Sequence, residues 1–361
     1  MAGPHIVFGA GGIGISPGSF TYTFDTPEKV SSLLKVLESL DIKELDSAAN
    51  YPPKNPWNTN TLLGQAGAAG KGFEIHDKIR VPYNYETGQV EPSLTEEAMA
   101  ASTKKSQQLL GVDKVPVLYA HFRDPHTSIE EMARAFDVQH KLGSFDKLGL
   151  CNFSAADLKE YFAVCEKHGY VKPSIIQDMY NPLYRKAEDD ILPLIRQHGC
   201  AFYAYSPLAG GFLTGKVTPP APTDNDNNNN SDNKSDNKTK DSVLHRSRWR
   251  GESAHPVYTQ TYDSKAAMHD AVRKLVAACN SSSSAGGGGG GNNNKKITPQ
   301  EATCRWLLNH SALREGDAII LGASSEAQLV ANVAAARVGP LSADDAELRG
   351  VLDGLWDMVK D

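Results

Sequence analysis

The chain has 361 residues, of which 40% are hydrophobic and 22% are charged, a balance typical of a globular protein. Its formal net charge of −6 offers no basic surface for nucleic acid or for anionic lipid, so neither is an expected partner. The partner that this composition favours is a small molecule.

The N-terminus and the cysteines predict a cytoplasmic protein. Residues 1–5 lack the charged region that precedes the apolar run of a secretory signal, and no stretch approaches the ~20 apolar residues of a membrane span. The five cysteines are odd in number and none lies in a C-x-x-C pair, which is typical of reduced thiols in the cytosol. They are Cys151, Cys165, Cys200, Cys279 and Cys304.

A glycine-rich motif comes first in the chain. Residues 9–14 match G-x-G-x-x-G and follow the apolar residues 6–8, as in a Rossmann dinucleotide-binding unit. A Rossmann fingerprint opens a helix at once, whereas the helical pattern here begins only at Pro27. We therefore interpret the motif as a strand-to-loop turn at the mouth of an active site, with a Rossmann-type dehydrogenase as the alternative.

Short apolar segments and amphipathic patterns alternate along the rest of the chain. The apolar segments predict strands near residues 5–8, 43–46, 73–77, 115–119, 147–150, 174–177, 200–205 and 318–321. The amphipathic patterns predict helices from Pro27 onward, within 243–280, and near 94–110, 128–141, 154–168, 186–198, 299–310 and 325–337. Predicted helix caps are Thr26 before Pro27 and the capping boxes Ser93 with Glu96, Ser128 with Glu131, and Thr298 with Glu301.

Eight strands that alternate with helices favour one fold of the α/β class. We predict a closed (β/α)₈ TIM barrel that forms a single domain over residues 1–361. Two segments, 219–241 and 281–294, consist almost wholly of polar residues, proline and glycine. Such compositions cannot bury enough apolar surface to offset the entropy of ordering, so both are expected to be disordered insertions.

Polar side chains at the ends of three strands are the candidate catalytic residues. Asp46 ends the second predicted strand, and Tyr51 lies in the loop that leaves it. Lys78 and His121 follow the third and fourth strands. Because functional residues of a barrel lie at the C-terminal ends of its strands, these four side chains are predicted to form one site.

Longer motifs carry a resemblance to a known family. They lie at residues 45–51 (Leu-Asp-Ser-Ala-Ala-Asn-Tyr), 148–153, 177–182, 202–216 and 319–325. In these motifs the sequence is similar to the aldo-keto reductase superfamily, and most like its aflatoxin aldehyde reductase branch. The resemblance implies NADPH-dependent reduction of aldehydes or ketones to alcohols, without a metal. A non-catalytic, cofactor-sensing regulatory subunit on the same barrel is a further alternative.

The resemblance implies that the four strand-end residues form a catalytic tetrad. A carbonyl that accepts a hydride needs a proton, and a phenol with a pKa of ~10 is a poor donor unless a neighbouring cation stabilises the phenolate. Tyr51 would donate the proton, Lys78 would supply the cation, and Asp46 would fix the ammonium. His121 would orient the carbonyl by hydrogen bonding.

The resemblance also implies a binding site for NADPH or NADP. Asn152 and Gln177 match residues that hydrogen-bond the nicotinamide carboxamide, and Tyr205 matches the aromatic that stacks on the ring. Cys151 stands where the family usually has serine, and a thiol is the weaker donor. Pyrophosphate contacts are implied for Ser206, Pro207, Leu208, Gly210, Gly211 and Lys216. Contacts with the adenosine 2′-phosphate are implied for Gly322, Ser324, Ser325, Gln328 and Asn332, without a basic residue among them, and Arg248 matches an arginine near the cofactor.

Overall fold

Eight parallel strands close into a barrel in the computed structural model, which describes residues 3–16, 22–84, 87–220, 249, 256–284 and 295–360. Around the barrel the strands follow the order β1-β8-β7-β6-β5-β4-β3-β2. They are β1 His5–Gly9, β2 Glu44–Asp46, β3 Glu74–Ile79, β4 Val115–Ala120, β5 Phe145–Cys151, β6 Pro173–Met179, β7 Ala201–Tyr205 and β8 Ala318–Leu321. The predicted TIM barrel is therefore confirmed. The Rossmann alternative is wrong, because the sheet is closed and no α-helix of the described residues begins before Pro27.

Helices connect the strands and cover the barrel. They are α1 Pro27–Ser39, α2 Asn58–Gln65, α3 Glu96–Leu110, α4 Ile129–Lys141, α5 Ala155–His168, α6 Ile191–Gln197, α7 Ala266–Ser281, α8 Pro299–Asn309, α9 Glu326–Ala336 and α10 Ala346–Gly354. The helix predicted near 186–198 begins too early, because Pro193 lacks an N–H and is tolerated only in the first turn of α6. Among the described residues, none of the helices combines the length with the apolar character that a membrane span requires.

Hydroxyl side chains start several of these helices. Thr26 accepts a hydrogen bond from the Lys29 N–H over 3.3 Å, with Pro27 at the first helical position, as predicted. The N-caps of α4 and α8 are Ser128 and Thr298, also as predicted. Each oxygen satisfies a backbone N–H that has no partner inside its helix.

The predicted capping box of Ser93 with Glu96 is wrong. Thr95 is the N-cap of α3 and accepts from the Ala98 N–H over 3.3 Å. The backbone N–H of Ser93 instead donates to Asp124 Oδ2 over 2.8 Å. Ser93 is therefore held by the loop after β4, two residues ahead of the N-cap.

Side chains fill the barrel interior. A buried cluster inside it includes Val7, Val117, Tyr119, Cys151, Ile175, Tyr203, Ala318 and Ile320. Gly149 makes room for Tyr119, since a Cβ atom at Gly149 would lie only 2.1 Å from Cδ1 of that ring. The barrel is thus a packed core, and open space for a ligand is left to the loops at the strand ends.

The predicted insertions fall largely outside the described residues, which omit 221–241 and 285–294. The start of the second is ordered, because Ser281 ends α7 and Ser283–Ser284 pairs antiparallel with Lys295–Lys296. The Ser281 hydroxyl donates to the Ala277 carbonyl over 3.2 Å. Residues 281–284, which were assigned to the second insertion, therefore lie in regular structure, and the remainder of both insertions stays a prediction.

Candidate active site

A buried ion pair lies at the C-terminal end of β2 and β3. Lys78 Nζ donates to Asp46 Oδ1 over 2.7 Å and to the carbonyl oxygen of Ser47 over 2.9 Å. Lys78 is fully buried and Asp46 is 3% exposed. Two charges are tolerated at such depth only when they are paired and hydrogen-bonded, so the ammonium is held in one place.

Tyr51 and His121 complete the predicted group of four. Lys78 Nζ lies 5.6 Å from the centroid of the Tyr51 ring. The rings of Tyr51 and His121 meet edge to face, with centroids 5.5 Å apart. The structure therefore brings the phenol, the ammonium, the carboxylate and the imidazole together at one end of the barrel.

His121 is a neutral imidazole. Burial, reinforced by the positive charge of Lys78, lowers the pKa of His121 well below its usual value. Phe122 stacks on the imidazole with centroids 4.3 Å apart, and Tyr83 stacks on Phe122 at 5.0 Å. A neutral ring carries one N–H, so His121 can donate to a carbonyl oxygen without adding charge to the site.

The two amides implied for the carboxamide are joined to this group. Gln177 Nε2 donates to Asp46 Oδ1 over 2.8 Å, and the Cys151 thiol donates to Gln177 Oε1 over 3.3 Å. Asn152 Nδ2 donates to Cys151 Sγ over 3.2 Å and to the His121 carbonyl oxygen over 2.9 Å. Burial raises the pKa of Cys151 well above its usual value, so the thiol keeps its proton and remains a donor.

Tyr205 ends β7 next to this network. Its hydroxyl donates to Asn152 Oδ1 over 2.8 Å, which fixes the ring relative to the amide. Asn152 itself has φ 61°, a left-handed conformation that few residues other than glycine adopt. The aromatic and amide residues predicted to contact the nicotinamide are therefore neighbours.

The loop after β7 has an unusual backbone. Ser206, Ala209, Gly210 and Gly211 all have positive φ, at 54°, 50°, 64° and 97°. A Cβ atom at Gly211 would meet no atom within 4 Å, so this part of the loop faces open space. Backbone turned in this way can present successive N–H groups to an anion. Pro207 and Leu208 are buried, and Lys216 is exposed at the far end.

The residues after β8 form a second polar region. Ser325 is the N-cap of α9 and accepts from the Gln328 N–H, while Gln328 Oε1 accepts from the hydroxyl and N–H of Ser324, each over 2.8 Å. Ser324 and Ser325 line a cleft of about 420 Å³ together with Lys29 of α1. Sequence reasoning missed Lys29, because its contact with this region arises only when the barrel closes.

Asn332 and Gly322 lie near this region, and Arg248 lies outside the described residues. The Asn332 side chain is 6% exposed, and its Nδ2 has no hydrogen-bond partner among the described residues. A buried amide with a spare donor fits a site that binds an acceptor. A Cβ atom at Gly322 would lie 3.8 Å from the carbonyl oxygen of Gly9 at the end of β1, and the Thr23 hydroxyl donates to the Ser324 carbonyl oxygen over 2.7 Å, so the loops after β1 and β8 touch.

The glycine-rich turn packs on the Tyr51 loop. Ala10–Gly12 forms one 3₁₀ turn, and a Cβ atom at Gly11 would lie 3.6 Å from Cε2 of Tyr51. At Gly14, which has φ 135°, a Cβ atom would lie 2.6 Å from Cγ of Pro52. Glycine is therefore needed at position 14, where this turn approaches Pro52 with a positive φ, and no phosphate contact is required to explain that requirement.

The chemistry of the donor set fits a nicotinamide cofactor. Paired amides, an aromatic ring, a left-handed glycine loop and the polar region after β8 lie at successive strand ends on one face. Within the described ranges, no group of three or more histidine, cysteine or acidic side chains could hold a metal ion. The arrangement suits transfer of a hydride and a proton.

An eight-stranded parallel barrel with a phenol, an ammonium–carboxylate pair and a neutral imidazole at its strand ends defines a barrel oxidoreductase acting on carbonyl groups. The profile of the aldo/keto reductase family matches residues 5–349, and the chain belongs to this family. The predicted resemblance is thereby confirmed.

Three similar proteins illustrate the relationship. Aldo-keto reductase family 7 member A3 of Homo sapiens is 30% identical over 300 residues, which cover 82% of this chain and 80% of the relative. Aflatoxin B1 aldehyde reductase member 2 of Mus musculus is 31% identical, with 88% and 77% covered. Oxidoreductase sirO of Leptosphaeria maculans is 30% identical, with 99% and 95% covered. A solved glycerol dehydrogenase of Gluconobacter oxydans superposes with a TM-score of 0.64 at 18% identity over 97% of this chain and 91% of that one, a similarity of fold.

Proposed function

We propose that the protein reduces aldehydes or ketones to alcohols with NADPH, and that Tyr51 delivers the proton. The observation that carries this proposal is the buried Lys78–Asp46 pair. In this pair Lys78 Nζ lies 5.6 Å from the centroid of the Tyr51 ring. A fixed, buried cation beside a phenol has a clear chemical use, because it stabilises the phenolate that remains after proton transfer.

Each of the four residues has a part in this chemistry. When bound, NADPH supplies the hydride. Tyr51 transfers its hydroxyl proton to the carbonyl oxygen, and the Lys78 ammonium stabilises the resulting phenolate. Asp46 balances the charge of Lys78 inside the barrel. The neutral imidazole of His121 donates its N–H to the same carbonyl oxygen and so holds the substrate in line.

We infer a preference for NADPH over NADH from the region after β8. The hydroxyls of Ser324 and Ser325 and the spare donor of Asn332 suit a phosphate. Lys29 lines the same cleft and supplies a cation, although it is paired with Asp25 over 2.6 Å. Calorimetric dissociation constants should be lower for NADPH than for NADH. Equal constants would count against this part of the proposal.

The names of the relatives support an aldehyde or ketone as the substrate, since several are described as aflatoxin B1 aldehyde reductases. The five cysteines are free and buried, in keeping with the predicted cytoplasmic location.

The test of function is a panel of aldehydes and ketones, assayed by loss of NADPH absorbance with chromatographic detection of the alcohol. Tight NADPH binding without turnover of any member would favour the regulatory alternative, and absence of NADPH binding would overturn both.

A further inference from the structure

Three aromatic side chains lie behind the loop that follows β7. Trp249, Tyr258 and Tyr262 come from the part of the chain between that loop and α7, and we call them the aromatic brace. Trp249 is 4% exposed and Tyr262 is fully buried. Tyr262 belongs to a π-helical turn, Thr259–Asp263, a rare form that is frequent at functional sites. The proposed chemistry uses none of the three.

The brace holds the loop at two points. The indole N–H of Trp249 donates to the Gly210 carbonyl oxygen over 3.1 Å. The hydroxyls of Tyr258 and Ser206 share a hydrogen bond of 2.9 Å. The Trp249 ring also packs on Phe212, with centroids 5.3 Å apart. The start and the middle of the loop are thus fastened to the same aromatic group.

Tyr262 adds a third connection through Asn181. Asn181 Nδ2 donates to the Tyr262 hydroxyl over 2.9 Å and to the Ser206 carbonyl oxygen over 3.1 Å. The Tyr262 hydroxyl in turn donates to Met179 Sδ over 3.1 Å. Ser206 is therefore bound through its side chain by Tyr258 and through its backbone by Asn181.

This loop needs such support. Ser206 and Ala209 are not glycine, yet both have a positive φ, a conformation that costs free energy for residues with a Cβ atom. Conformations of this kind persist only where surrounding contacts fix them, and they cluster at ligand-binding segments. The brace supplies those contacts from a distant part of the chain, since Trp249 lies 39 residues from Gly210 and Tyr258 lies 52 residues from Ser206.

We propose that the aromatic brace is a positioning element, which holds residues 206–211 in the conformation that receives the phosphate groups of the cofactor. The proposal rests on the proposed function, because that function assigns the cofactor to this loop. A loop that is already ordered loses less entropy on binding, so the brace raises cofactor affinity without touching the reacting atoms.

Two conservative variants test the brace. Tyr258→Phe removes one hydroxyl and Trp249→Phe removes the indole N–H, while both keep an aromatic ring. Tyr161→Phe is the matched control. Tyr161 belongs to α5, and its buried hydroxyl has no hydrogen-bond partner in the described part of the chain. Hydrogen exchange of peptides covering 206–216 is measured without cofactor, and NADPH affinity is measured by calorimetry.

Both brace variants should exchange faster in this loop than wild type and bind NADPH roughly 3-fold to 10-fold more weakly, the effect of one lost hydrogen bond. Turnover at saturating NADPH should stay near wild type, and the control should change neither property. Unchanged exchange in the brace variants would overturn the proposal by itself. Faster exchange with unchanged NADPH affinity would show that the braced loop does not serve the cofactor. A wild-type protein that binds no NADPH would overturn the proposed function and, with it, the role given to the loop.

Discussion

The side-chain amide of Gln177 donates a hydrogen bond of 2.8 Å to the carboxylate of Asp46, across the interior of the barrel. The resemblance assigns Gln177 to the cofactor and Asp46 to the catalytic tetrad. Through this bond, and through the thiol of Cys151 on the other side of the same amide, the two groups of residues form one hydrogen-bonded system. We therefore expect a substitution of Gln177 or of Asp46 to disturb the hydrogen bonds of the other residue.

Replacement of Gln177 tests that coupling. Gln177→Ala removes a donor from Asp46 and an acceptor from the Cys151 thiol, all of them buried. Leaving buried polar groups without partners should lower the free energy of unfolding by about 1–3 kcal/mol, measured by urea denaturation. Cys151→Ser keeps both the donor and the acceptor and should cost much less. Equal losses in the two variants would contradict a special role for the Gln177–Asp46 bond.

Two glycine substitutions separate the turn after β1 from the loop after β7. In Gly11→Ala the new methyl would lie in ordinary contact with the Tyr51 ring, so substrate KM and turnover should change while NADPH affinity is kept. Gly211→Ala forces a residue with a Cβ atom to φ 97°, at a cost of about 1–2 kcal/mol. We expect NADPH to bind roughly 5-fold to 30-fold more weakly there. Calorimetric dissociation constants for NADPH, measured for both variants, test this expectation. Weaker NADPH binding by Gly11→Ala together with unchanged binding by Gly211→Ala would assign the phosphate groups of the cofactor to the glycine-rich motif instead.

Acid should destabilise the protein through His76. This residue is 2% exposed, and burial lowers the pKa of His76 from 6.5 to about 4. Between these two values the unfolded chain binds a proton that the folded chain does not, so the free energy of unfolding falls as pH decreases. Across that window the loss is about 2–4 kcal/mol. In urea denaturation of His76→Gln, the free energy of unfolding should depend less on pH between pH 6.5 and pH 4 than it does in wild type. An unchanged dependence would assign the acid sensitivity to another group, for example His121.

Strands such as β4 and β8 could be predicted because each is a short apolar run that is largely buried on both faces of the barrel. Helices α2 and α10 were missed for local reasons. The N-cap of α2 is Trp57 in a left-handed conformation, with no side-chain hydrogen bond to mark the start. The sequence of α10 includes Gly350 and ends at Gly354, which weakens the helical pattern.

The candidate site was predictable only as far as its residues lie near one another in sequence or belong to a motif. Asp46 and Tyr51 are five residues apart, and Lys78 and His121 follow recognisable strands. The Gln177–Asp46 bond spans 131 residues, and Trp249 reaches Gly210 from beyond a low-complexity segment. Such contacts arise from barrel closure and leave no periodic or compositional signal in the sequence.

The proton donor is tested most directly by Tyr51→Phe, which keeps the ring and its contact with His121 but removes the hydroxyl. Cofactor affinity and fold should survive. Loss of a positioned acid typically lowers the rate ~10²–10⁴-fold, so the effect should appear in single-turnover hydride transfer from prebound NADPH. A variant that binds NADPH normally and reduces the same aldehyde at a near wild-type rate would remove Tyr51 from the mechanism.

Lys78 needs a different design, because its removal affects more than the phenol. Lys78→Met should lower turnover to a comparable degree, but it also leaves Asp46 as a buried carboxylate without its cation, which typically costs 3–5 kcal/mol of stability. The double variant Lys78→Met with Asp46→Asn removes both charges and should recover most of that stability. If the ammonium acts on Tyr51, the double variant remains as slow as Lys78→Met in single-turnover assays. Recovery of the rate along with the stability would show that Lys78 acts only by holding the fold.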